Sequence, residues 1–308
     1  MTERTAYLAP EGFSKELMDE LKDVEQVHGR LVICKGPMQD VVWAENVWRD
    51  ARRMPVESIG KAARALRDLQ RNWALYPVEH HRRSALIQEK LPHVSAKALE
   101  FGATAPTAPL GSWTLLDANT LLAATDCTSA FPNGQVRFIE DKETPPTRAY
   151  LKLWEALTLL PKRPGPGDLC LDLGSCPGGW TWVLQGLGTR VLSVDKAPLE
   201  RGIDQLPGVD FRRQSAYALE PEQVGPVDWL FCDIACYPKK LLTLVQRWLE
   251  PGLCRHFVCT IKLQGETDAE AIETFRSIEG ASVRHLFHNK HELTWVRLGP
   301  DPEAPSEA

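Results

Sequence analysis

The stretch Leu171-Asp172-Leu173-Gly174-Ser175-Cys176-Pro177-Gly178-Gly179-Trp180 decides the fold. Its apolar approach, GDLCLDLG (167–174), predicts a buried strand, and TWVLQGL (181–187) predicts a helix. Between them lies a glycine turn, a strand-to-helix junction at which backbone N–H groups can approach a ligand closely. It is not a dinucleotide fingerprint, because Cys176 stands where the second glycine of G-x-G-x-x-G belongs and Pro177 follows it. Nor is it a phosphate loop, since no Gly-Lys-Ser/Thr follows. On this segment alone, a glycine turn without a ligand stays open.

Downstream, strand and helix signals alternate. RVLSVD (190–195), VDFRRQ (209–214), VDWLFCD (227–233) and HFVCTIKL (256–263) predict strands. KKLLTLVQRWLE (239–250) predicts a helix stopped by Pro251-Gly252, and TDAEAIETFRSIE (267–279) another with Thr267 as N-cap. SVRHLFHN (282–289) and HELTWVRL (291–298) are joined too tightly for a crossover helix, so they should pair antiparallel. This order predicts an α/β, doubly wound and mostly parallel sheet. The tail 299–308 reads as disordered.

The first half predicts a smaller α+β domain over 1–143, with the boundary in DKETPP (141–146). Its signals are a strand at 30–36, helices around 38–53 and 57–75, a Pro/Ala-rich break at 103–111, and strand-like WTLLD and QVRFIED. At 308 residues the chain is long enough for two domains.

The net charge of −5 excludes a protein that grips nucleic acid by bulk charge. That average is uneven. Residues 49–83 hold nine Lys/Arg against four acids, a local +5, which leaves −10 for the rest. On a helix, Ile59, Ala62, Leu66, Leu69 and Trp73 would share one face, with Arg64, Arg67 and Arg71 opposite. Taken alone, that is an ordinary solvated amphipathic helix. The eight cysteines lack paired CxxC spacing, so no metal site is expected, and several lie in apolar runs as buried thiols do. Charges at Glu3, Arg4, Glu11, Lys15 and Glu16 argue against a signal peptide, and no apolar run could span a membrane. A cytoplasmic monomer is expected.

Several polar residues fall where such a sheet places its ligand crevice, outside the carboxyl ends of the strands. Asp195 ends the second strand, where an acid can accept hydrogen bonds from ribose hydroxyls; a plain turn aspartate is the alternative. Asp233 closes the fourth strand, Lys262 the fifth, and Glu292 starts the last, while Lys152 lies on a helix before the first. Lys262 follows the apolar run FVCTI, and a charge buried there needs a partner.

With LDLGSCPGGWTWVL, SVDKAP, WLFCD, TIKL and HNKHELTWV in this order, residues 144–298 resemble the FtsJ-type ribose 2′-O-methyltransferases. The nearest likeness is to the bacterial 23S ribosomal RNA (cytidine) methyltransferases of the M type. The resemblance implies a Rossmann-like class I methyltransferase domain and a Lys-Asp-Lys-Glu tetrad, which falls on Lys152, Asp233, Lys262 and Glu292. It also implies an S-adenosyl-L-methionine site including Cys176, Pro177, Gly178, Gly179 and Trp180. Asp195 would lie near the ribose, and Asp233 near the methionine end. Two positions depart from the family: Ser215 stands where an aspartate commonly meets the adenine amino group, and Ala149 replaces a serine before the first tetrad lysine. The first half is only loosely similar to the family's THUMP-containing RNA-binding domain.

The resemblance implies transfer of a methyl group to a ribose hydroxyl of RNA, with ribosomal RNA as partner. Lys262 is then the candidate base, its pKa lowered by desolvation and by Lys152 and opposed by the two acids. Joined to such a domain, Arg64, Arg67 and Arg71 become candidate phosphate contacts. Transfer RNA, a cap or a small hydroxylated molecule remain alternative acceptors, and a non-catalytic RNA-binding protein is the alternative to an enzyme.

Overall fold

The structure is a computed structural model that describes residues 3–300, so the tail from residue 301 on lies outside the described residues. The chain divides into two compact units, with the division between Ile139 and Glu140.

The first unit contains β1 (Arg4–Leu8), α1 (Ser14–Glu20), β2 (Val24–His28), β3 (Leu31–Lys35), β4 (Asn46–Arg49) and β5 (Arg52–Pro55). It continues with α2 (Ile59–Leu69), β6 (Trp73–Leu75), α3 (His81–Gln88), β7 (Gly111–Leu115), β8 (Thr120–Ala124) and β9 (Asp126–Cys127). These strands form two sheets, ordered β2-β3-β1-β4-β9 and β5-β8-β7-β6. The helix predicted around 38–53 is absent, and β4 takes its place. Val47 and Trp48 pair antiparallel with Tyr7 and Ala6, and buried Asn46 donates to Ser112 Oγ at 3.2 Å. Strand pairing thus satisfies backbone groups that helix propensity alone would have spent locally.

The helix predicted over 57–75 is also shorter. Ser58 caps α2 by accepting the Lys61 N–H at 3.2 Å, and the helix ends at Leu69. Trp73 belongs to β6, where its indole N–H donates to the carbonyls of Leu66 and Gln70 and closes off the helix end. Leu69 is 38% exposed and so leaves the apolar face assigned to it. Ala62, Ala63 and Leu66 pack instead with Trp73, Ile87, Trp113 and Leu121. QVRFIED is not a strand: it makes one isolated bridge, Phe138 to Leu99, while Val136 and Phe138 are buried without a ladder.

The second unit contains α4 (Tyr150–Leu159), β10 (Leu169–Leu173), α5 (Gly179–Gly186), β11 (Arg190–Asp195), β12 (Val209–Arg213) and α6 (Pro221–Val224). There follow β13 (Val227–Cys232), α7 (Pro238–Leu249), β14 (Cys254–Lys262), α8 (Ala269–Arg276), β15 (Ala281–Arg284) and β16 (Glu292–Leu298). The seven strands are ordered β12-β11-β10-β13-β14-β16-β15. β10 pairs parallel with both β11 and β13, and β14 pairs parallel with β13. β16 runs antiparallel between β14 and β15. This is a Rossmann-like, mostly parallel sheet. The chain winds outward in one direction from β10 and in the other from β13, which makes the β10/β13 junction the topological switch point.

Two local expectations are corrected in this unit. The N-cap of α8 is Asp268, whose carboxylate accepts the Ala271 N–H at 3.0 Å, not Thr267. The strand predicted to 289 stops at Arg284, because Asn289 Oδ1 takes the Leu286 N–H at 2.7 Å and folds the chain into a turn. Among the described residues, no helix is long and apolar enough to cross a membrane.

Candidate active site

At the switch point a cleft of about 350 Å³ opens outside the carboxyl ends of β10, β11 and β13. Its lining includes Gly174, Cys176, Asp195, Ser215, Asp233 and Ile234. Asp195 shapes the rim: Oδ2 accepts the Cys176 N–H at 3.1 Å and Oδ1 the Ala197 N–H at 2.9 Å. Gly174 has φ +76°, and a Cβ there would lie 2.3 Å from Ile234 Cγ1, so only glycine keeps this wall in place.

The other residues of the glycine turn do not line the cleft. Gly178, at φ +115°, lets Ile203 approach to 2.7 Å from where its Cβ would be. A Cβ on Gly179 would stand 3.1 Å from Thr147 Oγ1, which brings α5 close to the segment leading into α4. Trp180 is buried, and its indole N–H donates to the Ala149 carbonyl at 3.0 Å. Pro177 is likewise absent from the lining. The turn therefore divides its work: Gly174 and Cys176 face the cleft, while Gly179 and Trp180 hold α5 against the segment leading into α4.

Below the cleft, Asp172 is 1% exposed and accepts a hydrogen bond from the Thr181 hydroxyl at 2.7 Å. Thr181 in turn bonds Ser193. Burial pushes the Asp172 carboxyl up to about 7, with Thr181 opposing and the charges of Asp233 and Asp195 adding.

The four dispersed charges meet beside Asp233. Lys152 Nζ lies 3.0 Å from both Asp233 oxygens and 2.9 Å from Glu292 Oε1. Lys262 Nζ lies 2.7 Å from Asp233 Oδ1 and 3.3 Å from Glu292 Oε2. Cations and anions alternate around a closed ring, which is how two lysines and two acids can be largely buried together. The fold accounts for each position. Lys262 and Glu292 are direct cross-strand partners on β14 and β16, Asp233 follows β13 at the cleft, and Lys152 comes from α4. Burial opposes the charge on Lys262, but Asp233 and Glu292 outweigh it and hold its pKa above that of an ordinary lysine. The expected lowering is thus reversed. Burial likewise works against the Glu292 carboxylate, and Lys152 and Lys262 prevail to keep its pKa low.

Residues 146–281 match the model of the FtsJ-like methyltransferases. The second unit contains an FtsJ-like methyltransferase domain. Curated relatives carry the description ribosomal RNA large subunit methyltransferase M. The protein from Halorhodospira halophila is 36% identical over 157 residues, which is 48% of this chain and 46% of that one. The one from Azotobacter vinelandii is 35% identical over 56% of this chain and 53% of its own. That from Thauera aminoaromatica is 29% identical over 54% and 49%. The chain spans about half the length of the curated relatives it matches.

Two features of the FtsJ-like domain escaped the sequence reading. Glu155 is 2% exposed and sits one turn from Lys152. In YLKLWEALTL these two are the only charged residues, on a helix buried at nine of its ten positions. A charge with no polar face to occupy was the available signal. Tyr217 and Lys240 also line the cleft, with the ammonium 4.2 Å from the ring centroid; nothing in their spacing marked them.

In the first unit, Lys61, Arg64, Arg67 and Lys90 line a second, open groove. Arg67 also donates to the Lys90 carbonyl at 3.2 Å. Arg71 is exposed but lies beyond the end of α2 and outside this groove.

Proposed function

We propose that this chain methylates a ribose 2′-hydroxyl of RNA with S-adenosylmethionine as donor, and that its target is a cytidine of 23S ribosomal RNA. The carrying observation is the closed ring of Lys152, Asp233, Lys262 and Glu292, joined to the cleft through Asp233. The names of the relatives support ribosomal RNA as the acceptor.

The cleft suits an adenosine-bearing ligand. It is within the size range of small-molecule sites, it lies at the switch point, and Gly174 lets Ile234 close its wall. Asp195, Ser215 and the backbone at Cys176 would hold the adenosine part, and Asp233 the methionine end. S-adenosylmethionine supplies an electrophilic methyl group on a sulfonium.

Lys262 acts as the base. In the structure it is held as an ammonium, so it must first release its proton to water, and the rate rises with pH toward the alkaline range. The hydroxyl proton then passes to Lys262 Nζ as the ribose oxygen takes the methyl group. Lys152 stabilises the developing alkoxide, and Asp233 and Glu292 hold both ammonium groups in place. Arg64 and Arg67, with Lys61 and Lys90, contact phosphates of the RNA.

A radiolabelled methyl-transfer assay against ribosomal RNA, transfer RNA and capped transcripts, with mapping of the modified ribose, tests this reading. Label on a cytidine ribose of 23S RNA is expected. Label only on another RNA would move the acceptor. Calorimetric binding of the cofactor with no transfer to any RNA would leave a binding protein in place of an enzyme.

A further inference from the structure

We propose that Glu155 is a positioning residue that sets Glu292 against Lys152, by clamping the turn between β15 and β16 onto the helix that carries both Lys152 and Glu155. This rests on the reaction proposed above. Glu155 Oε1 accepts the Phe287 N–H at 2.8 Å, and Oε2 accepts the His288 N–H at 2.9 Å. Oε2 also lies 2.7 Å from His288 Nδ1. A carboxylate only accepts, so Nδ1 carries the hydrogen of this bond.

Three donors from two consecutive residues thus converge on one carboxylate that is 2% exposed. The turn is itself fixed from within. Asn289 Oδ1 accepts the Leu286 N–H at 2.7 Å and the Thr294 hydroxyl at 3.1 Å, and Asn289 Nδ2 reaches Glu292 Oε1 at 3.5 Å. Where the turn sits therefore decides where Glu292 sits. α4 meets this hairpin at two places one helical turn apart, Lys152 on Glu292 and Glu155 on residues 287–288. The first contact belongs to the reacting ring, and the second fixes its spacing without touching it. A buried carboxylate with no role in the ring would otherwise be a costly choice on an apolar helix.

The test is Glu155→Gln in the full chain. The amide keeps the size but presents N–H where an acceptor is needed, so the clamp loosens. Methyl transfer falls in kcat by about tenfold to a hundredfold, the cost of a small misplacement, while the cofactor Kd by calorimetry changes less than twofold. A second readout separates positioning from general damage. With Glu292 displaced, Lys262 loses a charge that holds its proton, so the alkaline rise of the pH–rate profile moves to lower pH as the maximum rate falls. If Glu155→Gln does not fold, His288→Asn removes one of the three bonds, and it should lower kcat several-fold with the cofactor Kd unchanged. Full kcat in either folded variant overturns the proposal, and so does a loss of kcat with an unmoved pH profile. Amide hydrogen exchange at Phe287 and His288 is independent of turnover. It quickens in the variants if the clamp is real, and a wild-type protein that methylates nothing would overturn the reaction while leaving that result to decide the clamp.

Discussion

Charged side chains occur in this protein in two settings. In the second unit, Lys152 and Lys262 are largely buried and each contacts both Asp233 and Glu292. In the first, Arg64, Arg67 and Lys90 face an open groove and have no acidic partner among the described residues. Burial forces the first set into one arrangement, because an unmatched charge away from water is costly. Solvent lets the second set stand unmatched at little cost, and leaves it available to a polyanion. The buried set should therefore be sensitive to single atoms, and the exposed set to net charge.

The sharpest break of this comparison is Lys262→Ala. Removing the base should lower methyl transfer by about 10²–10⁴-fold, with cofactor binding by calorimetry nearly intact. Retained turnover would reduce the ring to a structural ion cluster.

Asp172 sharpens the same contrast from the other side, since it is buried with a hydroxyl in place of a cation. Its folded pKa, about 7, lies above the ordinary 3.8. A raised carboxyl contributes stability that is fully present below about pH 4 and lost as pH rises through about 7. With the carboxyl only 1% exposed, the difference corresponds to about 4 kcal/mol. Asp172→Asn should remove this dependence, so denaturant unfolding shows the variant gaining on the wild type between pH 4 and 7 and levelling off above. A constant difference across that range would show that Asp172 keeps its charge.

The buried set was also the more readable one in the sequence. Parallel strands read as apolar runs, and a charge closing such a run, like Lys262 after FVCTI, stands out. The glycine turn and all five strands before the hairpin kept their predicted places within about two residues, as local patterns of this strength should. The turn at 285–291 did not, because Asn289 bonds across it, and no periodicity records that. The first unit was harder. Its strands β1 and β4 owe their form to each other across some forty residues, so 38–53 was misread as a helix. The +5 of residues 49–83 was true as arithmetic but overstated as a surface. Arg49 pairs with Asp126 and Arg53 with Glu25, acids that lie outside the segment.

What remains unmatched is a smaller patch, and it makes a graded prediction. Reversing two phosphate contacts with Arg64→Glu and Arg67→Glu should reduce the slope of log affinity against log salt by about 2. The melting temperature should barely move, because both side chains are exposed. An unchanged slope would return α2 to an ordinary solvated helix.

The smallest effect separates the groove from mere net charge. Arg71 carries the same charge as Arg64 and is also exposed, but it follows the end of α2 and does not line the groove. If RNA follows the concave surface formed by Lys61, Arg64, Arg67 and Lys90, then Arg71→Glu should weaken binding less than Arg64→Glu at the same salt. The two variants have identical net charge, so long-range attraction changes similarly in both, and any difference between them measures contact. Equal losses in a filter-binding titration would mean that the RNA senses the general field of this segment, and the groove would lose its special place.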